Sequence, residues 1–193
     1  MPGQGLPGPG SSRRETGNGS GMKKNDAQLF DYFLAPGYIF FNVAPSLLST
    51  VLGSSVAVSL WDRKNKYGGM ANFLYPAVES PAAATSRYGN VAVRHLIKMF
   101  LEEGTDQKDL QAQIFGGSTT SSLEGARVAR ENILVARKIL LSSRIEVLSE
   151  DVGGQMGRKI VFNTLRNEAV VYKVNDLRYY DWYPYNYGGD REG

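Results

Sequence analysis

Leu52-Gly53-Ser54-Ser55-Val56-Ala57-Val58-Ser59-Leu60-Trp61 and Tyr67-Gly68-Gly69-Met70-Ala71-Asn72-Phe73-Leu74 decide the fold. The first run sets Val56, Val58 and Leu60 against Ser55, Ala57 and Ser59. Successive side chains on a strand point to opposite faces, so this pattern is a strand with one large face and one small face. Asp62-Arg63-Lys64-Asn65-Lys66 is a charged turn, and the second run returns beside the first as a hairpin.

Outward from this hairpin, Gly37 to Val43 is rich in aromatic and branched residues and predicts a strand, and Leu47 to Leu52 predicts another. Pro76 to Thr85 reads as a loop. Arg87 to Glu103 carries Val93, Leu96, Ile97 and Phe100 at helical spacing and is closed by Gly104. Leu110 to Phe115 is a strand ending at Gly116-Gly117, and a second helix is expected from about Leu123 to Ser143. Ile145 to Ser149, Lys159 to Asn163 and Ala169 to Val174 complete the strands. Strands, helix, strand, helix, strands is the order of a layered, sandwich-like α/β domain with a mixed sheet and two main helices, not of a regular βαβ repeat.

The chain has 193 residues, which suits one domain with an extension. Residues 1–27 are rich in Gly, Pro and Ser and are expected to be a disordered leader, 28–175 the folded domain, and 176–193 an aromatic tail. A net charge of +3 without a basic stripe argues against nucleic-acid binding. No charged residue occurs from Phe33 to Trp61, but Pro36, Pro45, Asn42 and five serines exclude a membrane span there. The expected compartment is the cytoplasm. With no cysteine in the chain, disulfides, thiolate metal sites and thiol nucleophiles are excluded. No metal or cofactor motif is present: Gly153 to Lys159 lacks phosphate-loop spacing, and Gly53-Ser54-Ser55 lacks the second glycine of a nucleophile elbow.

Five ordered segments resemble one family. They are Leu52-Gly53-Ser54, Gly68-Gly69-Met70-Ala71, Arg87-Tyr88-Gly89-Asn90-Val91-Ala92, Phe115-Gly116-Gly117, and Glu150-Asp151-Val152-Gly153-Gly154 with Gly157-Arg158-Lys159. Together they are similar to the CheD chemoreceptor glutamine deamidases, over about residues 35 to 175. The resemblance implies a fold shared with some glutamine-deamidating toxins and a role in bacterial chemotaxis. It also implies two partners, the chemoreceptor cytoplasmic domain and a CheC-type phosphatase.

The chemistry that the resemblance implies is thiolate attack on a glutamine carboxamide, with a histidine taking and returning the proton and a hydroxyl orienting the site. The family positions fall on Ser55 for the cysteine, Asn72 for the histidine and Ser49 for a threonine. Serine is hardly ionised near neutral pH and depends on a base, and a carboxamide cannot supply one. General-base catalysis contributes about 100- to 10,000-fold. The histidine His95 lies in the first predicted helix, where a surface position is expected. Ser49, Ser55 and Asn72 together, in a chain without cysteine, read as loss of the catalytic set rather than as one Cys-to-Ser change.

Three functions follow as expectations: a degenerate deamidase relative that binds a receptor or signalling partner, an active deamidase working through Ser55, and a scaffold outside chemotaxis. After Gly116-Gly117 the chain reads Ser118-Thr119-Thr120-Ser121 where the resemblance implies Ala, a variable residue and Met; if that loop meets the phosphatase, its apolar contact is gone. The tail packs Tyr179, Tyr180, Trp182, Tyr183, Tyr185 and Tyr187 into nine residues. It suits either a flap over an apolar edge or a partner-binding peptide.

Overall fold

The hairpin sits at the centre of a five-stranded sheet. The protein is described from a computed structural model, which covers residues 29–119 and 122–182. The strands are β1 (Phe30–Phe33), β2 (Tyr38–Asn42), β3 (Ser46–Leu52), β4 (Val56–Asp62), β5 (Gly68–Phe73), β6 (Leu110–Gly116), β7 (Glu146–Val152), β8 (Gly157–Asn163) and β9 (Glu168–Val174). The helices are α1 (Gly89–Glu102), α2 (Leu123–Ser142) and the short α3 (Tyr179–Trp182). One sheet has the order β2-β5-β4-β6-β7 and the other β1-β3-β8-β9. The leader, Thr120, Ser121 and Tyr183 to Tyr187 lie outside the described residues.

The alternation of β4 explains the layering. Val56, Val58 and Leu60 join Phe73, Leu96, Phe100, Ile133 and Leu140 in the core between the five-stranded sheet and the helices. Ala57 and Trp61 face the other way, into the core that Leu48, Leu52, Ile160 and Phe162 of the second sheet complete. The small side chains expected on one face of β4 therefore meet a sheet rather than a helix layer. The result is three layers, helices on sheet on sheet.

The glycine pair of β5 belongs to the same packing. A Cβ on Gly69 would lie 2.5 Å from the Phe40 carbonyl oxygen and 3.0 Å from Leu96 Cδ1, so strand β2 and helix α1 occupy the space of a side chain. Asp62 closes the hairpin turn. It accepts from the backbone N–H of Lys64 and of Asn65 and from Asn65 Nδ2, each at 2.8 Å, and from the Thr105 hydroxyl at 2.7 Å.

Burial opposes ionisation of Asp62, but these donors outweigh it and hold the carboxyl below its ordinary 3.8. A depressed folded-state value gives stability that is present above the unfolded value and is lost as pH falls through the folded one. Acid titration of the fold is therefore expected to steepen below about pH 4 in the wild type and to flatten in Asp62→Asn. Urea midpoints across pH 2 to 7 measure this, and parallel curves for the two proteins would count against it.

Two elements differ from the expected pattern. β7 runs on through Glu150, Asp151 and Val152, because parallel pairing with β6 continues to Gly116 after a register shift at Ala112/Gln113. Arg137 pairs with Glu150, and Arg158 and Lys173 pair with Asp151, which offsets the cost of carboxylates on a strand. β1 is the other addition: it pairs in parallel with β3 from Phe30↔Ser46 to Phe33↔Ser49. No helix of the described residues is long and apolar enough to cross a membrane.

Candidate functional site

The sequence motifs converge at one end of the two sheets. Gly117 N–H donates to the Ser55 carbonyl at 2.8 Å, Ser118 N–H to the Gly53 carbonyl at 2.8 Å, and Gly153 N–H to the Gly116 carbonyl at 2.9 Å. Gly116 has φ +100°, and a Cβ there would collide with the Ser55 carbonyl oxygen. Three loops that are distant in sequence are thus laced around Ser55 by backbone hydrogen bonds. That lacing is the physical content of the Phe115-Gly116-Gly117 and Asp151-Val152-Gly153-Gly154 motifs.

Ser55 precedes β4, and Asn72 lies on β5 opposite Ala57. Ser55 is two residues before Ala57, so Ser55 and Asn72 are diagonal neighbours, a spacing of about 7–8 Å between Cα atoms. Ala57 packs into the core between the sheets, so its partner Asn72 lies on that same face. Asn72 is fully buried and Ser55 is 4% exposed.

The orientation of the Asn72 amide follows from its neighbours. The Thr50 hydroxyl donates to the Leu34 carbonyl at 2.7 Å, so its oxygen is left to accept from Asn72 Nδ2 at 2.9 Å. Asn72 Oδ1 is thereby turned away from Thr50 and, like Ser55 Oγ, has no hydrogen-bond partner among the described residues.

Thr50, not Ser49, is therefore the hydroxyl residue at this site. Strand alternation sends the two to opposite faces. Ser49 sits in the row Phe33–Ser49–Val161–Val170 on the outer face of the four-stranded sheet, and its half-buried side chain lines a depression with Tyr172 and Tyr180. Thr50 is 1% exposed and aims inward.

A cavity of about 300 Å³ opens over Ser55, lined by Pro36, Gly53, Ser54, Ser55, Leu74 and Trp182. It adjoins a groove of about 660 Å³ that shares Gly53, Ser54 and Trp182 and adds Ser118, Thr119 and Gln155 among others. Among the described residues, neither is lined by an ionisable side chain. His95 is exposed on α1, the helix that covers the opposite face of the five-stranded sheet through Val93, Leu96 and Phe100. It does not meet Ser55. Among the described residues, no group of three His, Cys, Asp or Glu side chains is arranged to hold a metal ion.

Two residues at this site escape the sequence reading. Asn132 of α2 is fully buried, and its Nδ2 donates to the Ser54 carbonyl at 3.1 Å and the Leu74 carbonyl at 2.9 Å. One amide thus ties the entry of β4 to the exit of β5. Its signal is a polar side chain on the apolar stripe of Ala129, Ile133 and Ala136. Trp182 has only the aromatic richness of the tail as a clue.

The arrangement is a layered α/β domain with a hydroxyl, a carboxamide and a cavity at one end of a β-sandwich core. The chain belongs to the CheD family: the family profile described as CheD chemotactic sensory transduction matches residues 76–173. A "probable chemoreceptor glutamine deamidase CheD" from Trichlorobacter lovleyi is 38% identical over 136 residues, covering 69% of this chain and 84% of that one. A relative of the same description from Anaeromyxobacter dehalogenans, CheD 1, is 41% identical over 134 residues, 68% of this chain and 77% of that one. CheD 2 from Geobacter sulfurreducens is 32% identical over 156 residues, 80% of this chain and 96% of that one. A solved Bacillus licheniformis hypothetical protein, YfiH, superposes with a TM-score of 0.37 at 12% identity over 55% of this chain and 49% of that one, too slight a likeness to bear on function.

Proposed function

We propose that this chain is a catalytically degenerate chemotaxis protein of the CheD family that binds the cytoplasmic domain of a chemoreceptor without hydrolysing its glutamine side chains. The observation that carries this reading is the combination at the site: an alcohol at position 55, an amide at position 72, and cavity walls without an ionisable group among the described residues. Attack on a carboxamide needs a base to take the hydroxyl proton, and an amide oxygen does not accept a proton near neutral pH. What the site retains is hydrogen bonding. Ser55, which lines the cavity, keeps a hydroxyl that can donate to a carboxamide oxygen, so binding chemistry survives where proton transfer does not.

This reading places the protein in the cytoplasm, with the receptor's signalling domain. A CheC-type phosphatase is the second partner that the family suggests. Ser118 and Thr119 place hydroxyls in the groove where an apolar contact is expected, so we expect that interaction to be weak.

The test is to incubate the purified chain with receptor cytoplasmic fragments, measuring binding by calorimetry and hydrolysis by ammonia release and Gln-to-Glu mass change. Binding without hydrolysis is expected. Turnover that disappears in Ser55→Ala would establish the alternative, an active deamidase working through Ser55. Absence of binding to any receptor fragment would leave the scaffold reading outside chemotaxis.

A further inference from the structure

We infer that residues 175–182 are a strap that occupies the mouth of the Ser55 site, so that a peptide ligand enters only by displacing it. The inference concerns access to the site just proposed as a binding site, and it rests on that reading for its biological meaning.

After β9 the chain turns back across the end of the sandwich. Leu177 lands on Gly157 at the start of β8. A Cβ at Gly157 would come within 2.5 Å of Leu177 Cδ1, and no left-handed φ explains glycine there, so the leucine takes the space of a side chain. Trp182 is half-buried and lines both the cavity over Ser55 and the adjoining groove. Its Cζ2 stands 3.6 Å from the point where a Gly53 Cβ would be, which is ordinary van der Waals contact.

Asp181 holds the strap's turn together. It accepts from Arg178 N–H at 2.8 Å and from Lys159 Nζ at 2.6 Å. The Lys159 side chain is 44% exposed, and solvent-accessible pairs of this kind contribute little, so the apolar contacts of Trp182 and Leu177 carry most of the closure.

The Gly53 and Gly157 seats beside this groove are thus an interaction surface already covered by a segment of the same chain. Its shape describes the ligand that would compete: a peptide with an aromatic side chain for the Gly53–Ser54 seat and an aliphatic one for the Gly157 seat. A short surface segment held by two anchors opens locally without unfolding the domain. Removal of an anchor is therefore expected to change access to Ser55 without changing the fold around it.

The absence of cysteine makes this directly measurable, since Ser55→Cys introduces a single thiol. Alkylation of that thiol by iodoacetamide reads access without any receptor. Deleting residues 176–193, or adding Trp182→Ala, is expected to accelerate alkylation about tenfold, the ratio that loss of one half-buried large apolar anchor implies. Deleting only 183–193 should leave the slow rate unchanged. A synthetic peptide of residues 175–182 added to the shortened protein should restore protection, and the same peptide with Trp182→Ala should not.

An unchanged alkylation rate in Trp182→Ala overturns the strap, whether or not the deletion variant folds. Protection that follows this pattern in a protein that binds no receptor fragment upholds the strap and overturns only the proposed ligand.

Discussion

The double variant Ser55→Cys/Asn72→His is expected to release ammonia from receptor glutamines at about 100- to 10,000-fold the rate of Ser55→Cys alone, the usual contribution of a positioned general base. A thiol is a far better nucleophile near neutral pH than an alcohol, but only its thiolate attacks, and a neighbouring imidazole sustains that form. Asn72 projects from β5 into the space between the sheets and meets Thr50 Oγ1, which is committed to donating to the Leu34 carbonyl. After Asn72→His, the same oxygen would accept an N–H from the nearer ring nitrogen of the new imidazole and leave the other nitrogen facing position 55. Thr50 would then act as the orienting group of the introduced dyad. Each single variant should stay near background, because nucleophile and base act as a unit. Ammonia release and Gln-to-Glu mass change report the result. A folded, receptor-binding double variant without turnover would show that more than these two side chains has been lost.

Phe100→Ala is expected to cost about 3–5 kcal/mol of folding stability, the range for removing a buried phenylalanine. Phe100 is fully buried on α1. Its ring meets Phe41 edge-on at 4.6 Å and stacks on Tyr67 at 5.9 Å, so the three rings join helix α1, strand β2 and the hairpin turn. The Tyr67 hydroxyl in turn bonds Thr105 at 2.8 Å, and Thr105 donates to Asp62. A cavity at Phe100 would loosen the packed and the polar side of this junction together. Against a total stability of about 5–15 kcal/mol the loss is a large fraction. The urea midpoint should fall with little change in slope, and a midpoint close to wild type would mean that the neighbouring rings collapse into the gap.

Local pattern carries most of the architecture. The hairpin, both main helices and the strands β2, β3, β6, β8 and β9 lie where periodicity and turn residues place them, because their apolar residues recur at the spacing of the element that buries them. β1 is not legible in the sequence: Phe30-Asp31-Tyr32-Phe33 is short and carries a charge, and it is a strand because the edge of β3 offers it hydrogen bonds. The acidic end of β7 is not legible either, since its extended form depends on β6 beside it and on Arg137 and Arg158 across from it.

The site divides along the same line. Residue identities alone show a chain without cysteine, with an alcohol at position 55 and a carboxamide at position 72, and what those groups can do with a proton belongs to the side chain wherever it sits. Residue identities could not establish which hydroxyl stands beside Asn72. Ser49 and Thr50 are adjacent in the chain, and only the pairing of β3 with β8 and the packing of the two sheets turn Thr50 inward and Ser49 out. Asn132 and Trp182 come to the site from far along the chain, through a helix packed on one side of the sheet and a segment folded across its end. Contacts of that range arise from the closing of layers on one another, and no short stretch of sequence encodes them.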